Sequence, residues 1–289
     1  MNIEKSGLHP RNKHKSNYDF QQLLKVHAEL ANFVVKNKFG NESIDFSNRQ
    51  AVIALNSALL KFFYGISYWQ IPISNLCPPI PGRVDYIHYL ADLLPPTKSD
   101  IFILDIGVGA NCIYPLLSYK EYGWHTIGSD IDLIAMENAQ EIINKNHLTN
   151  VIKLRHQKNK TKIFENIILS DDYFHLTICN PPFHASAQAA QDSNMRKNKN
   201  LGLAKNNLNF GGKNNELWCE GGEFDFINRM IDESILNKKN CLWFTTLVSK
   251  SENLAPLQSK LKKMNVLEIK TIEMNQGQKK SRILAWSFR

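Results

Sequence analysis

Apolar and polar positions along the chain change their period near residue 95. Before that point the spacing is helical. "FSNRQAVIALNSALLKFFYG" (46–65) repeats apolar residues three and four apart, with Ser47 or Asn48 placed to cap its start. "IPISNLCPPIPGRVDYIHYLADLLPP" passes from a proline-rich loop into an amphipathic helix, and "PPTKSD" then punctuates the chain. Beyond it the pattern alternates. Apolar runs "IFILDIG" (101–107), "WHTIGSD" (124–130), "NVIKLRH" (150–156), "YFHLTICN" (173–180) and "NCLWFTTLVSK" (240–250) read as strands. Helical patterns lie between most of them, clearest in "LIAMENAQEIINKNHL" and "GGEFDFINRMIDESILNKK", and "NLAPLQSKLKKM" follows the fifth run. "NVLEIKTIEM" and "SRILAWSF", joined by "NQGQKK", read as a closing hairpin.

This order predicts an α/β fold: a Rossmann-like, mostly parallel sheet with an antiparallel terminal hairpin, preceded by a mostly helical extension. Residues 1–95 are expected to form that extension and residues 96–289 the sheet domain, with ligand at the carboxyl ends of the strands. A polar segment rich in Asn, Lys, Gln and Gly interrupts the domain at 185–222. It leaves from the end of the fourth strand, where a loop of such length is expected to cover a substrate.

Composition narrows the class. The 289 residues are 43% hydrophobic, enough for a core, without a run long enough to span a bilayer. The N-terminus "MNIEKSGLHPRNKHKS" lacks the apolar region of a secretory signal. Five singly placed cysteines suggest reduced thiols in a cytoplasmic protein and argue against a metal site. The net charge of +8 is uneven: residues 1–50 carry +3, residues 51–150 carry −4, and the remainder +9. Basic clusters recur at 153–162, 196–199, 260–263 and 279–282, so a polyanion, nucleic acid above all, is the expected partner.

Three stretches carry candidate chemistry. In "LDIGVGANC", Gly107 and Gly109 permit a tight strand-to-helix turn and close ligand approach, and Asp105 just before them is a candidate cofactor-binding carboxylate, placed to orient the loop or meet a ligand amine. Cys112 stands where a dinucleotide fingerprint would carry its third glycine. Asp130, 25 positions after Asp105, ends the second strand, where a carboxylate accepts both hydroxyls of a ribose; nearby Asp132 suits a helix cap. Together they indicate an adenosine-containing cofactor, NAD or S-adenosylmethionine. "CNPPF" (179–183) favours the second. Asn180 offers a side-chain carbonyl, Pro181 fixes a backbone carbonyl beside it, Pro182 stiffens the turn, and Phe183 offers a face for a base taken out of its helix. Such a hook holds the hydrogens of a planar amine.

The spacing of "LDIGVGANCIYPL", "GSDID" and "CNPPF" resembles class I S-adenosylmethionine-dependent methyltransferases acting on amino nitrogens. With "LHPRNKH", "SIDF", "CPPIPGRVDYIHYLADLL", "NLGLAKNNLNFGG", "ELWCEGGE" and "QGQKKSRILAWSF", the chain resembles, from residue 8 to 288, the bacterial ribosomal RNA adenine-N6 methyltransferases. That family is named for adenine 1618 of 23S RNA and is related to human methyltransferase-like 16. The resemblance implies methylation of that adenine's N6 amine during ribosome biogenesis. It also implies that Gly107 and Gly109 line the cofactor's methionine portion, Asp130 binds its ribose, Arg83 pairs with its carboxylate, and Asn180, Pro181 and Phe183 face the reacting amine. Asn159 is implied near the cofactor's adenine, and Asn111 occupies a cofactor-contacting position that is serine in the human relative.

The expected partner is therefore 23S ribosomal RNA, free or in an assembling subunit, met by a cytoplasmic monomer without metal or membrane. "LHPRNKHK" is expected to be a mobile cationic arm, and His9, His14 and His184 to lie at the surface or on RNA. Trp243 and Trp286 suit the core, whereas Trp218, beside the polar segment, is a candidate for base contact. Protein glutamine N5-methylation and a non-catalytic role in ribosome assembly stay open as alternatives.

Overall fold

The computed structural model describes residues 7–186, 188, 214–276 and 279–289. The predicted strands form one seven-stranded sheet: β3 (Phe102–Ile106), β4 (His125–Asp130), β5 (Ile152–His156), β6 (Phe174–Cys179), β7 (Cys241–Val248), β8 (Glu268–Gln276) and β9 (Lys279–Ser287). Their order is β5-β4-β3-β6-β7-β9-β8. In this sheet β9 alone runs against the direction of the other strands, so the expected terminal hairpin closes one edge. The strand order reverses between β3 and β6, which pair in parallel register from Ile103 opposite Leu176 to Ile106 opposite Cys179. Such a reversal opens a crevice at the carboxyl ends.

Side-chain alternation assigns the two faces of the sheet. Ile103, Leu176, Ile178, Trp243 and Ile283 join one apolar cluster, and Leu104, Phe244, Leu284 and Trp286 join another. The first includes helices α2 (Arg49–Tyr64), α3 (Ile80–Ala91), α4 (Ile113–Tyr122) and α5 (Leu133–Lys145). The second includes, after a short α6 (Asn214–Leu217), α7 (Gly222–Leu236) and α8 (Leu254–Lys263). Caps follow sequence. Asn48 accepts from the N–H groups of Gln50 and Ala51 at the start of α2, and Asp132 from those of Ile134 and Ala135 at α5. The punctuation at 95–100 is exposed, while α2 and α3 before it share their apolar cluster with the sheet.

Two features of the first hundred residues depart from the sequence pattern. Besides helix α1 (Phe20–Val26) and a 3-10 turn (Ala28–Phe33), the extension contains an antiparallel ribbon, β1 (Val34–Lys36) with β2 (Glu42–Ile44). Its three-residue strands are too short to display a period.

The second departure corrects the expectation of a mobile arm. Residues 7–15 are strapped onto α3, and His9 and His14 are only 5% and 0% exposed. The His9 backbone N–H donates to Asp85 at 2.8 Å, and the Asn12 side chain to the same oxygen at 2.7 Å. Arg11 donates to Asp92 and to the His88 carbonyl, Lys13 pairs with Glu121 at 3.0 Å, and His14 bonds the Tyr64 hydroxyl at 2.8 Å. The polar groups that suggested an arm for RNA are used internally.

Candidate active site

The glycine turn after β3 is fastened to the end of β4. Gly107 and Gly109 have φ of +76° and +60°, a region that a Cβ disfavours. The N–H groups of Gly107 and Val108 both donate to the Ser129 carbonyl, at 2.9 and 3.0 Å. The Gly109 N–H donates to Asp130 Oδ2 at 2.8 Å, while Asp130 Oδ1 accepts from the Asp132 N–H at 2.9 Å. A Cβ on Gly128 would stand 2.9 Å from Val108 Cγ2, so this glycine lets the turn lie against β4. Gly128 was missed from sequence because no ligand motif includes it.

One cavity of about 560 Å³ opens where the strand order reverses. Gly107, Gly109, Asn111, Asp130 and Arg83 line it together with Asn180, Pro181 and Pro182. Residues far apart in sequence, singled out for one chemistry, thus share one cavity lining. Among the described residues no group hydrogen-bonds the Asn180 amide, which stays available to a ligand. Asn111 is buried and accepts from the Ile113 N–H at 3.1 Å, securing the start of α4.

Three of the predicted site residues lie off this lining. Asp105 is 1% exposed, and neither of its oxygens has a hydrogen-bond partner. Exposed Asn159 folds its side chain back to accept from the N–H and hydroxyl of Thr161, an Asx turn, while its neighbours Lys160, Thr161 and Lys162 line the cavity. Phe183 is partly buried and follows the lining residue Pro182 without joining the wall.

Sequence reasoning also missed Gln157, whose buried amide donates to the Glu165 carbonyl at 2.9 Å and shapes the 157–165 loop. It likewise missed Glu216, Cys219, Phe226 and Arg229, which line the cavity with Trp218. His184, partly buried, pairs with Trp218 as a parallel bridge, and its carbonyl accepts from the Cys219 N–H at 3.1 Å. The far end of the 185–222 segment is thereby brought back beside the Asn180 corner. Most of that segment, with the basic cluster 196–199, lies outside the described residues. Lys260, in another basic cluster, is engaged by Asp232 and by Asn228.

Burial raises Asp130 above the usual carboxylate range, opposed by the backbone N–H groups that it accepts. Asp105 is raised well above that range, chiefly by burial, with Asp130 adding and Arg83 opposing. Arg83 donates to the Tyr114 hydroxyl at 2.6 Å and lies 5.3 Å from that ring's centroid. Burial pushes Tyr114 up to about 12 despite Arg83. The Arg83 Nε is buried and unpartnered, and open space stands where a Gly107 Cβ would project. An anionic end on Arg83, a slim chain over Gly107 and a diol on Asp130 match the amino-acid and ribose parts of S-adenosylmethionine. Among the described residues, no cluster of three His, Cys, Asp or Glu could hold a metal ion, and no helix is long and apolar enough to cross a membrane.

The profile of an RNA methyltransferase family matches residues 2–289. A protein of Pseudomonas savastanoi pv. phaseolicola named ribosomal RNA large subunit methyltransferase F is 52% identical over 297 residues, covering 99% of this chain and 90% of its own. The Bacteroides fragilis protein of the same name is 51% identical, covering 99% of both chains. Among solved structures, the hMettl16 catalytic domain in complex with a MAT2A 3'UTR hairpin superimposes with a TM-score of 0.86 at 32% identity, covering 98% of this chain and 96% of the other. The N-terminal domain of human METTL16 in complex with SAH gives 0.79 at 28%, covering 98% and 99%.

Proposed function

The chain belongs to the RNA methyltransferase family, and from that premise we propose that it methylates the N6 amine of one adenine in 23S ribosomal RNA, adenine 1618. It is an S-adenosylmethionine-dependent enzyme with an RNA substrate and a class I methyltransferase fold. The observation that carries the adenine reading is the meeting of the Asn180–Pro182 corner with the glycine turn and Asp130 on one cavity. The substrate is 23S ribosomal RNA, free or in an assembling subunit, met by a monomer in the cytoplasm that needs no metal.

S-adenosylmethionine, when bound, supplies an electrophilic methyl group. Arg83 takes the carboxylate of that cofactor, its guanidinium suited to a planar anion. Asp130 keeps lone pairs for the ribose hydroxyls while its bonds to Gly109 and Asp132 hold the carboxylate in place. Gly107 and Gly109 let the backbone come close. At the corner in the same cavity the Asn180 carbonyl and the Pro181 carbonyl accept the two N6 hydrogens, which directs the nitrogen at the methyl group. Phe183, next to Pro182 of that corner, offers an aromatic face for the extruded base. The amine becomes acidic as the new bond forms, so its proton passes to water without a strong base. The chain's contribution is positioning and charge placement.

Labelled methyl transfer to naked large-subunit RNA, intact subunits and protein, followed by mapping of the label, tests this. Label in N6-methyladenosine at a single 23S position is the expected result. Label in protein alone would exclude it.

A further inference from the structure

The described tryptophans differ in how their indole N–H groups are satisfied. Trp69 donates to the Asn111 carbonyl at 2.8 Å, and Trp286 to the Ser234 hydroxyl at 3.0 Å. The N–H of Trp218 is buried and has no partner among the described residues. A buried donor left unpaired costs free energy, and folded proteins leave few. This one belongs to a residue of the cavity wall. Its backbone is fixed beside the amine-holding corner by the bridge to His184, four positions after Asn180.

The chemistry of Trp218 and of the Asn180 corner is complementary. Asn180 and Pro181 present acceptors, which suit the two hydrogens of an exocyclic amine. In adenine that amine is flanked by ring nitrogens, N1 and N7, which only accept. A pocket that reads adenine through its amine gains discrimination if a hydrogen-bond donor meets one of those nitrogens, because a base with a hydrogen at that position leaves both donors unpaired. We infer that the Trp218 indole N–H is this donor, bonding a ring nitrogen next to the N6 amine and so determining base specificity. The inference rests on the adenine-N6 reading above.

The test is single-turnover methyl transfer to a 23S RNA fragment whose target position carries adenine, 1-deazaadenine or 7-deazaadenine. Trp218→Phe keeps an aromatic face and removes the N–H. It should slow transfer to the adenine RNA by about tenfold, the effect of one neutral hydrogen bond. One deaza RNA should slow the unaltered enzyme by a similar factor, and on that RNA Trp218→Phe should cause no further loss. Trp218→His, which retains a ring N–H, should recover part of the rate on adenine RNA and serves as the second variant should the first fold poorly. Binding of S-adenosylhomocysteine should not change in either variant. Equal rates for Trp218→Phe and the unaltered enzyme on adenine RNA, or the same loss on all three RNAs, would overturn the inference. Failure of the unaltered enzyme to methylate the adenine RNA would instead remove the functional reading on which it depends.

Discussion

The Gly109 N–H and the Asp130 carboxylate meet at 2.8 Å, tying the turn after β3 to the end of β4 across 21 positions of sequence. One carboxylate therefore serves two tasks, holding the glycine turn and offering lone pairs to a diol. Asp130→Asn removes the charge and sets the amide's two faces in conflict, since an NH2 turned toward Gly109 would meet another donor. Affinity for S-adenosylhomocysteine, measured calorimetrically, should fall by about ten- to a hundredfold, as expected for a charge-assisted hydrogen bond worth about 1.5–3 kcal/mol. Unchanged affinity would mean that the ribose lies elsewhere.

Asn180 separates binding from chemistry. Its amide lines the cavity and is unengaged by the described residues, so its removal breaks no bond that holds the glycine turn or Asp130. Asn180→Ala should reduce single-turnover methyl transfer by about a hundred- to a thousandfold, the usual effect of deleting a preorganised polar group that acts in the transition state. Cofactor affinity should change less than threefold. A comparable loss in both quantities would indicate a structural role.

Much of this organisation was legible because β3, β4, β6 and β7 carry compact apolar runs, and because Asp130 and Asn180 stand at strand ends, where parallel sheets collect ligand groups. What failed depends on contacts that sequence does not display. Asn159 has the residue type of an adenine contact, yet its side chain closes a local turn with Thr161. His9, Arg11 and His14 have the composition of a nucleic-acid arm, but their partners Asp85, Asp92 and Tyr64 are 50 or more positions away. The Trp218–Arg229 wall reaches the corner only because the 185–222 segment returns to pair with His184.

Asp105 should make stability depend on pH. Its folded-state pKa is raised by burial, so folding takes up a proton in the window between the ordinary carboxylate range and that raised value. The stabilising, protonated form is complete below that window and is lost as pH rises through it. Asp105→Asn removes the titration. Between about pH 5 and 8, thermal unfolding of the ligand-free variant should vary less with pH than that of the parent. The variant should also be the more stable of the two at the upper end, by on the order of 1 kcal/mol. Parallel profiles would place the proton elsewhere.

The strap at residues 7–15 should behave as a structural element rather than as an RNA-binding tail. Asp85 is fully buried and accepts from both the His9 backbone and the Asn12 side chain, so Asp85→Ala leaves the buried His9 N–H unpaired and the Asn12 amide with only its bond to the Pro81 carbonyl. The expected loss is about 2–4 kcal/mol of stability, with faster tryptic cleavage after Arg11 and Lys13. Acid should loosen the neighbouring contact of the strap with His88. Burial lowers His88 to about 4, with the cations Arg11 and Lys13 acting in the same direction and Asp92 against it. The neutral ring stabilises the fold above the ordinary histidine range, and that contribution declines as pH falls from about 6.5 toward 4. Arg11→Gln removes the bonds to Asp92 and to the His88 carbonyl and should lower the unfolding temperature while leaving the salt dependence of RNA binding nearly unchanged, because Arg11 is already paired with Asp92. A free arm would give the opposite pair of results.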